Sequence, residues 1–291
     1  MTRTERRAPA KVNLTLHVTG RRADGYHLLD SLVVFAGVSD IVSLAATADA
    51  GSQAGMGLTV SGPFAEGVPT DAGNLVLRAA ELLRTRRGVT RGAALHLEKN
   101  LPHAAGIGSG SSDAAATLAL LAEHWRVAPL PADEPGIAAL GADVPVCCHA
   151  PAPMRMEGIG ERLSAVPALP SAALLLVRPP VAVPTGPVFK ALETVENPPM
   201  ETMPEGADFE TFREWLSRQR NDLEAPARKL APEIDRVLGL LADQPEVALA
   251  RMSGSGATCF GLVRDLPSAQ AAAARIAEGR PGWWVSAAEM L

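Results

Sequence analysis

The sequence predicts two domains built from both strands and helices, on three observations. At 291 residues the chain is long for one core, and cores beyond about 250–300 residues tend to split. Apolar residues alternate along Val12, Leu14, Leu16 and Val18, and again along Ala93, Leu95 and Leu97, the two-residue period of strands. Beyond the second run the period lengthens, with Ala114, Leu118, Leu121, Ala122 and Trp125 on one helical face. Prolines cluster at residues 167–171, so the expected domains are 1–168 and 169–291.

Taken in order, the strand over 12–18 reads as half-buried, with Lys11 and Asn13 sharing its polar face, about 6.6 Å apart at two strand rises. Residues 21–27 hold Ala-Asp-Gly-Tyr and read as a turn. Residues 28–35 and 41–44 are two further strands, and 49–57, rich in Gly, Ala and Ser, is a mobile loop. Residues 74–85 carry Leu75, Leu77, Ala79, Leu82 and Leu83 at helical spacing. The strand over 93–97 then feeds a glycine loop and a helix capped by Ser111 or Ser112. Residues 144–148 look β-prone, and 172–177 form a short buried strand ended by Pro179-Pro180. A proline- and acid-rich surface loop spans 196–208, followed by helices around 212–220 and 232–241. Last, Met252-Ser-Gly-Ser-Gly makes a second glycine turn that enters a strand at 257–263.

Composition excludes several functions. A net charge of −5 opposes binding to a nucleic-acid backbone, which needs a basic face. Aromatic residues make up 4%, with one tyrosine, too few for a base-stacking platform. Cys147, Cys148 and Cys259 are odd in number and lack CxxC spacing, which suits a reduced, cytoplasmic protein. No run approaches the roughly 20 apolar residues of a membrane helix, and no apolar stretch follows the charged N-terminus. The expectation from composition is a soluble cytoplasmic protein with no nucleic-acid or membrane partner.

The stretch from Pro102 to Asp113, Pro-His-Ala-Ala-Gly-Ile-Gly-Ser-Gly-Ser-Ser-Asp, carries the most chemistry. Glycines allow close backbone approach to an anion, and a helix start aims N–H groups and about half a positive charge at the same place. No lysine follows the last glycine, so this is not a Walker A loop, and serine or aspartate breaks the Gly-x-Gly-x-x-Gly spacing. Gly141-Ala-Asp143-Val-Pro145 offers either a turn aspartate or a general base. Cys147-Cys148-His149 has no second cluster to complete a zinc site. Tyr26-His27 is an aromatic pair that either covers the core or faces a nucleobase. Only four of the 27 basic residues are lysines, and a retained lysine suits a point-charge role that arginine serves poorly.

Together these motifs resemble the GHMP kinases, named for galactose, homoserine, mevalonate and phosphomevalonate. The loop at 102–113 is similar to that family's phosphate loop, and residues 252–257 to its C-terminal glycine motif. Ala8-Pro-Ala-Lys11-Val-Asn13-Leu, Arg22-Ala-Asp-Gly-Tyr26-His27 and the Asp143 turn narrow the match to the branch acting on a cytidine diphosphate-linked methylerythritol in non-mevalonate isoprenoid synthesis. The resemblance implies an α+β, two-domain GHMP kinase fold, with an S5-like N-terminal ATP-binding domain and a ferredoxin-like C-terminal substrate domain. It implies ATP and Mg²⁺, with phosphorylation of the substrate's 2-hydroxyl. Asp143 matches the catalytic base and Lys11 the lysine near the reacting groups. Pro102, His103, Ala104, Ala105, Gly106, Ile107, Gly108, Ser109, Gly110, Ser111 and Ser112 match the ATP loop, and Asn74 and Lys99 match positions near the nucleotide. Asn13, Tyr26, His27, Thr185 and Phe189 match the cytidine pocket, where rings of Tyr26 and Phe189 would sandwich the base. No Mg²⁺ ligand is identified beyond a loop hydroxyl such as Ser111. Other acceptors of the family, homoserine or mevalonate, remain open, as does a non-catalytic nucleotide-binding protein. Two departures stand out: Ser109 where the family commonly has glycine, and Ile107 where it has leucine.

Overall fold

The computed structural model describes residues 4–44 and 55–291. Its strands are β1 (Glu5–Asn13), β2 (His17–Arg21), β3 (His27–Leu44), β4 (Met56–Ser61), β5 (Ala93–Glu98), β6 (Met154–Gly158), β7 (Arg162–Ala165), β8 (Ala173–Arg178), β9 (Val247–Met252), β10 (Cys259–Val263) and β11 (Trp284–Glu289). Its helices are α1 (Leu75–Arg86), α2 (Ser109–Trp125), α3 (Pro135–Leu140), α4 (Val144–Cys147), α5 (Thr185–Lys190), α6 (Phe209–Arg218), α7 (Glu224–Leu230), α8 (Glu233–Ala242) and α9 (Leu266–Gly279). None of the described helices is long and apolar enough to cross a membrane.

Contacts divide the chain into two compact units. One holds Met1–Ala10, Ser39–His103 and Gly108–Ala150; the other holds Lys11–Val38, Ala104–Ile107 and Pro151–Leu291. The boundary expected at 168/169 is a single cut, whereas these units interleave. Long strands such as β1 and β3 run out of one unit and into the other, which a proline-based reading of linkers does not register.

In the first unit, β5 pairs in parallel with β4 and antiparallel with residues 41–44 of β3. Ala93, Leu95 and Leu97 point inward and the residues between them are half-buried, as their alternation predicts. Helices α1 and α2 pack on each other. Their small and branched residues, among them Ala79, Leu83, Ala114, Leu118 and Leu121, close one core with the strand residues. Burying a leucine of this kind contributes about 1.5–3 kcal/mol.

In the second unit, β2 and β3 form a hairpin in which Arg21 faces His27 across the expected turn. Residues 29–33 of β3 pair with β6, which pairs with β7. A separate antiparallel sheet runs in the order β11-β8-β10-β9. With α8 and α9 packed on it, its β-α-β-β-α-β succession is the ferredoxin-like arrangement. Its core is Leu175, Val177, Ile234, Val237, Leu241 and Ile276, joined by Leu16 and Val18.

Several local expectations change. Residues 28–35 and 41–44 belong to one 18-residue strand. The strand over 12–18 breaks between β1 and β2, and both of its faces are buried: Lys11, Asn13, Thr15 and His17 are as covered as the leucines and valines. Of residues 144–148, Val144–Cys147 are helical and Cys148 is the C-cap, with Pro145 in the first turn suited to a helix start despite the β-branched residues. Most of the expected loop at 49–57 lies outside the described residues, and Met56 and Gly57 are strand. The loop at 196–208 lacks regular structure but is not wholly a surface loop, since Met200 and Met203 are buried in it.

Candidate active site

The backbone of the glycine loop is strained where an anion site needs it to be. Ala104, Gly106 and Gly108 are all left-handed, with φ of 50°, 75° and 59°. A Cβ on Gly106 would lie 2.6 Å from the Ser253 carbonyl oxygen and 2.8 Å from that of Gly256, so no side chain fits. Gly108 is the N-cap of α2, and its carbonyl accepts from Ser112 N at 2.9 Å. The helix thus begins at Ser109, earlier than the caps expected at Ser111 or Ser112. Neither a capping side chain nor an acidic residue occupies the first turn, leaving its N–H groups and the positive end of the helix dipole for a ligand. Ser109 is right-handed and helical, so a serine there costs no backbone strain; its hydroxyl donates to the Pro102 carbonyl at 3.3 Å.

Within the same unit, a buried ionic cluster ties the two ends of the loop. Lys99 Nζ lies 2.5 Å from Asp40 Oδ2 and 2.9 Å from Asp113 Oδ2. Asp40 Oδ1 also accepts from the backbone N–H groups of Asn100 and Leu101, at 2.6 and 2.8 Å. Burial favours the neutral forms. For Lys99 the two carboxylates outweigh it, and its pKa is raised; for Asp113 burial dominates, reinforced by the Asp40 charge, and its pKa is pushed up to about 8. The Lys99 ammonium is therefore committed to carboxylates, and Asn74 is equally committed. It caps α1, accepting from Val76 N at 2.9 Å and donating to the Pro69 carbonyl at 2.7 Å.

Asp143 precedes α4 and makes no capping hydrogen bond to it, so the capping explanation for this carboxylate is not what the fold uses. Its turn abuts the start of α2: a Cβ on Gly141 would lie 3.7 Å from Ser111 Oγ, and Ser112 Oγ donates to Cys147 Sγ at 3.4 Å. None of the three cysteines is in a disulfide. Among the described residues, no group of three or more His, Cys, Asp or Glu is arranged to hold a metal ion.

In the second unit, Lys11 Nζ donates to Asn13 Oδ1 at 2.8 Å, a contact between two side chains that strand geometry places on the same face. Lys11 N bonds the Ile107 carbonyl at 2.9 Å, which fixes this part of the glycine loop to β1. The second glycine turn supports the same segment: Ser253 Oγ accepts from Asn13 N at 3.1 Å and donates to the Gly106 carbonyl at 3.0 Å. Asn221 Nδ2 holds the turn through the Met252 and Gly254 carbonyls, both at 2.8 Å.

The His27 ring stacks on Phe189, with centroids 4.9 Å apart and planes 26° from parallel. Tyr26 is 61% exposed and covers no core. The ring stacked on Phe189 is that of His27, while the sequence expectation of cytosine held between Tyr26 and Phe189 concerns the bound substrate. Burial, and then the charge of Arg21, lowers the His27 pKa, so its ring is neutral near pH 7. Thr185, the first residue of α5, shares a 2.8 Å hydroxyl–hydroxyl bond with Ser255 of the glycine turn. The segment around residue 200 is fastened nearby: Met200 N donates to Asp30 Oδ2 at 2.8 Å, and Arg155 grips the same carboxylate at 2.8 and 2.7 Å. Asp30, Asp40, Asp113, Ser31 and Ser253 were not singled out by sequence reasoning, since their partners lie far away along the chain.

The family model for the N-terminal domain of GHMP kinases matches residues 74–152, and that for the C-terminal domain matches residues 200–281. A protein of Dinoroseobacter shibae named 4-diphosphocytidyl-2-C-methyl-D-erythritol kinase is 55% identical over 96% of this chain and 92% of its own. Its namesake in Jannaschia sp. is 54% identical over 98% of this chain and 96% of its own. A crystal structure of 4-(cytidine 5'-diphospho)-2C-methyl-D-erythritol kinase covers 98% of both chains, with a TM-score of 0.75 at 33% identity. A homoserine kinase from Cytophaga hutchinsonii, at 16% identity and a TM-score of 0.67 over 98% of this chain and 94% of its own, shares the fold. With both domain models matched in order and relatives this similar along nearly the whole length, the chain belongs to the GHMP kinase family.

Proposed function

We propose that this kinase transfers the γ-phosphoryl group of ATP to the 2-hydroxyl of 4-diphosphocytidyl-2-C-methyl-D-erythritol, in non-mevalonate isoprenoid precursor synthesis. The observation that carries the reading is the loop whose left-handed Gly106 and Gly108 open directly into α2, in a chain whose relatives bear that enzyme's name. Phosphoryl transfer is mostly positioning and charge stabilisation. The N–H groups of residues 106–111 hold the phosphates, that of Ser112 being bonded to the Gly108 carbonyl, and Pro102 to Ala105 shape their approach.

Asp143 takes the proton of the attacking hydroxyl, and Lys11 offsets charge on the transferring group, a point-charge role for a lysine. Asn13, Tyr26, His27, Thr185 and Phe189 receive the cytidine diphosphate end, with the His27–Phe189 stack offering an aromatic face to cytosine. Asn74 and Lys99, bonded internally, hold the backbone that borders the nucleotide. Mg²⁺, when bound, would offset the charge of the phosphates. A loop hydroxyl such as that of Ser111 is the protein group that would hold the ion. The reading also takes residues 1–168 as the ATP-binding and 169–291 as the substrate-binding division, in a cytoplasmic monomer or homodimer.

The test is turnover of ATP by the purified protein with the cytidine-linked substrate, with homoserine and with mevalonate. Phosphorylation of the cytidine-linked substrate alone is expected. Preference for either of the others would replace the acceptor, and no turnover with any would leave only nucleotide binding.

A further inference from the structure

A directed chain of buried hydrogen bonds runs from Lys11 to the backbone of residue 15. Lys11 Nζ donates to Asn13 Oδ1 at 2.8 Å; Asn13 Nδ2 donates to Ser31 Oγ at 2.8 Å; Ser31 Oγ donates to the Thr15 carbonyl. Lys11, Asn13, Thr15 and Ser31 are each 3% exposed or less. The two ends are fixed in polarity, because an ammonium only donates and a carbonyl only accepts. Every link between them is then forced: the amide must turn its oxygen to the lysine and its NH₂ to the serine. Among the described residues, Ser31 Oγ is the acceptor for that NH₂, and it in turn donates to the Thr15 carbonyl. Water cannot easily substitute in so buried a place, so an amide with no such acceptor carries an unsatisfied buried NH₂ and is restrained at its oxygen alone.

We propose that Ser31 is a positioning residue for phosphoryl transfer. Its hydroxyl locks the Asn13 amide in the orientation that aims and holds the Lys11 ammonium. Thr15 supports the same corner, since its own hydroxyl accepts from Leu32 N at 2.8 Å, pinning β3 beside the chain that carries Lys11. Without the Ser31 hydroxyl, the buried Asn13 NH₂ loses its acceptor, the amide is held at one end only, and the lysine it positions shifts. Small displacements of a group that acts at the reacting centre cost far more in turnover than in binding.

The inference rests on the kinase reading above. Steady-state kinetics with ATP and the cytidine-linked substrate, in the parent chain, Ser31→Ala and Ser31→Thr, separates the two. No turnover by the parent chain would sink the kinase reading and this inference with it. Given an active parent, Ser31→Ala is expected to lower kcat about ten- to a hundred-fold while the KM for ATP stays within about two-fold. Ser31→Thr, which keeps the hydroxyl, is expected to restore most of kcat. An unchanged kcat in folded Ser31→Ala, or a Ser31→Thr variant as slow as Ser31→Ala, overturns the role. If Ser31→Ala does not fold, Ser31→Cys, nearly isosteric and a poor acceptor, carries the same prediction. Failure of both to fold beside a fully active Ser31→Thr would make the hydroxyl a structural group and also overturn it.

Discussion

Lys99 Nζ lies 2.9 Å from Asp113 Oδ2, joining the residue that leaves β5 to one near the start of α2 across the whole glycine loop. The link is buried at both ends, with side chains 3% and 4% exposed. It therefore acts as a strut under the loop, and its protonation state matters to stability.

Asp113 titrates near 3.8 when unfolded and is pushed up to about 8 in the fold, by burial first and the Asp40 charge next. Between those values the folded chain holds the extra proton, so its contribution to stability is full below about pH 4 and is lost as pH rises through about 8. Asp113→Asn removes this titration. Its stability relative to the parent chain should rise with pH across that window, by about 1 kcal/mol or more. Urea unfolding of both chains near pH 5 and near pH 8.5 measures the difference, and an equal gap at both pH values would refute a raised Asp113.

Gly106→Ala should damage the loop directly. The new methyl would meet two carbonyl oxygens at 2.6 and 2.8 Å, from a left-handed backbone, at a cost of about 2 kcal/mol or more. The KM for ATP is expected to rise about ten-fold or more. Ala104→Gly is the counterpart: relaxing a left-handed alanine should leave stability unchanged or raise it by up to about 1 kcal/mol. Thermal unfolding and ATP titration of the two variants read both expectations.

Asp143→Asn should fold and bind ATP nearly as the parent does, because the amide keeps the size and shape of the carboxylate at the head of α4. Its kcat should fall about a hundred-fold or more with the base removed. Full turnover in this variant would exclude Asp143 as the base.

Phe189→Ala removes one partner of the His27 stack. The KM for the cytidine-linked substrate is expected to rise about ten-fold, in keeping with about 1–3 kcal/mol for base–aromatic stacking. The KM for ATP should stay nearly constant. Equal rises in both would disprove a stacking role.

Local pattern carried much of this protein. The alternation over Ala93 to Leu97, the glycine loop and the helical face from Ala114 to Trp125 are short-range signals, and the structure keeps all three. Strand geometry also put Lys11 and Asn13 on one face, where the structure joins them. The GHMP kinase family was legible in the order of motifs along the chain, and the relatives bear it out.

The start of α2 was misjudged because serine is a good cap and the sequence does not reveal that Gly108 already sits left-handed at that position. The helix after Asp143 overrode a β-prone composition, since propensity yields to the turn that precedes it. The pairing of His27 with Phe189, the burial of Lys11 and the strut of Lys99 with Asp40 and Asp113 were decided by tertiary structure. Each depends on partners 14 to 162 residues apart in sequence, beyond the reach of any local period. Hydrophobic spacing and glycine placement are written into neighbouring residues; burial, charge pairing and hydrogen-bond direction exist only once distant segments share the same space.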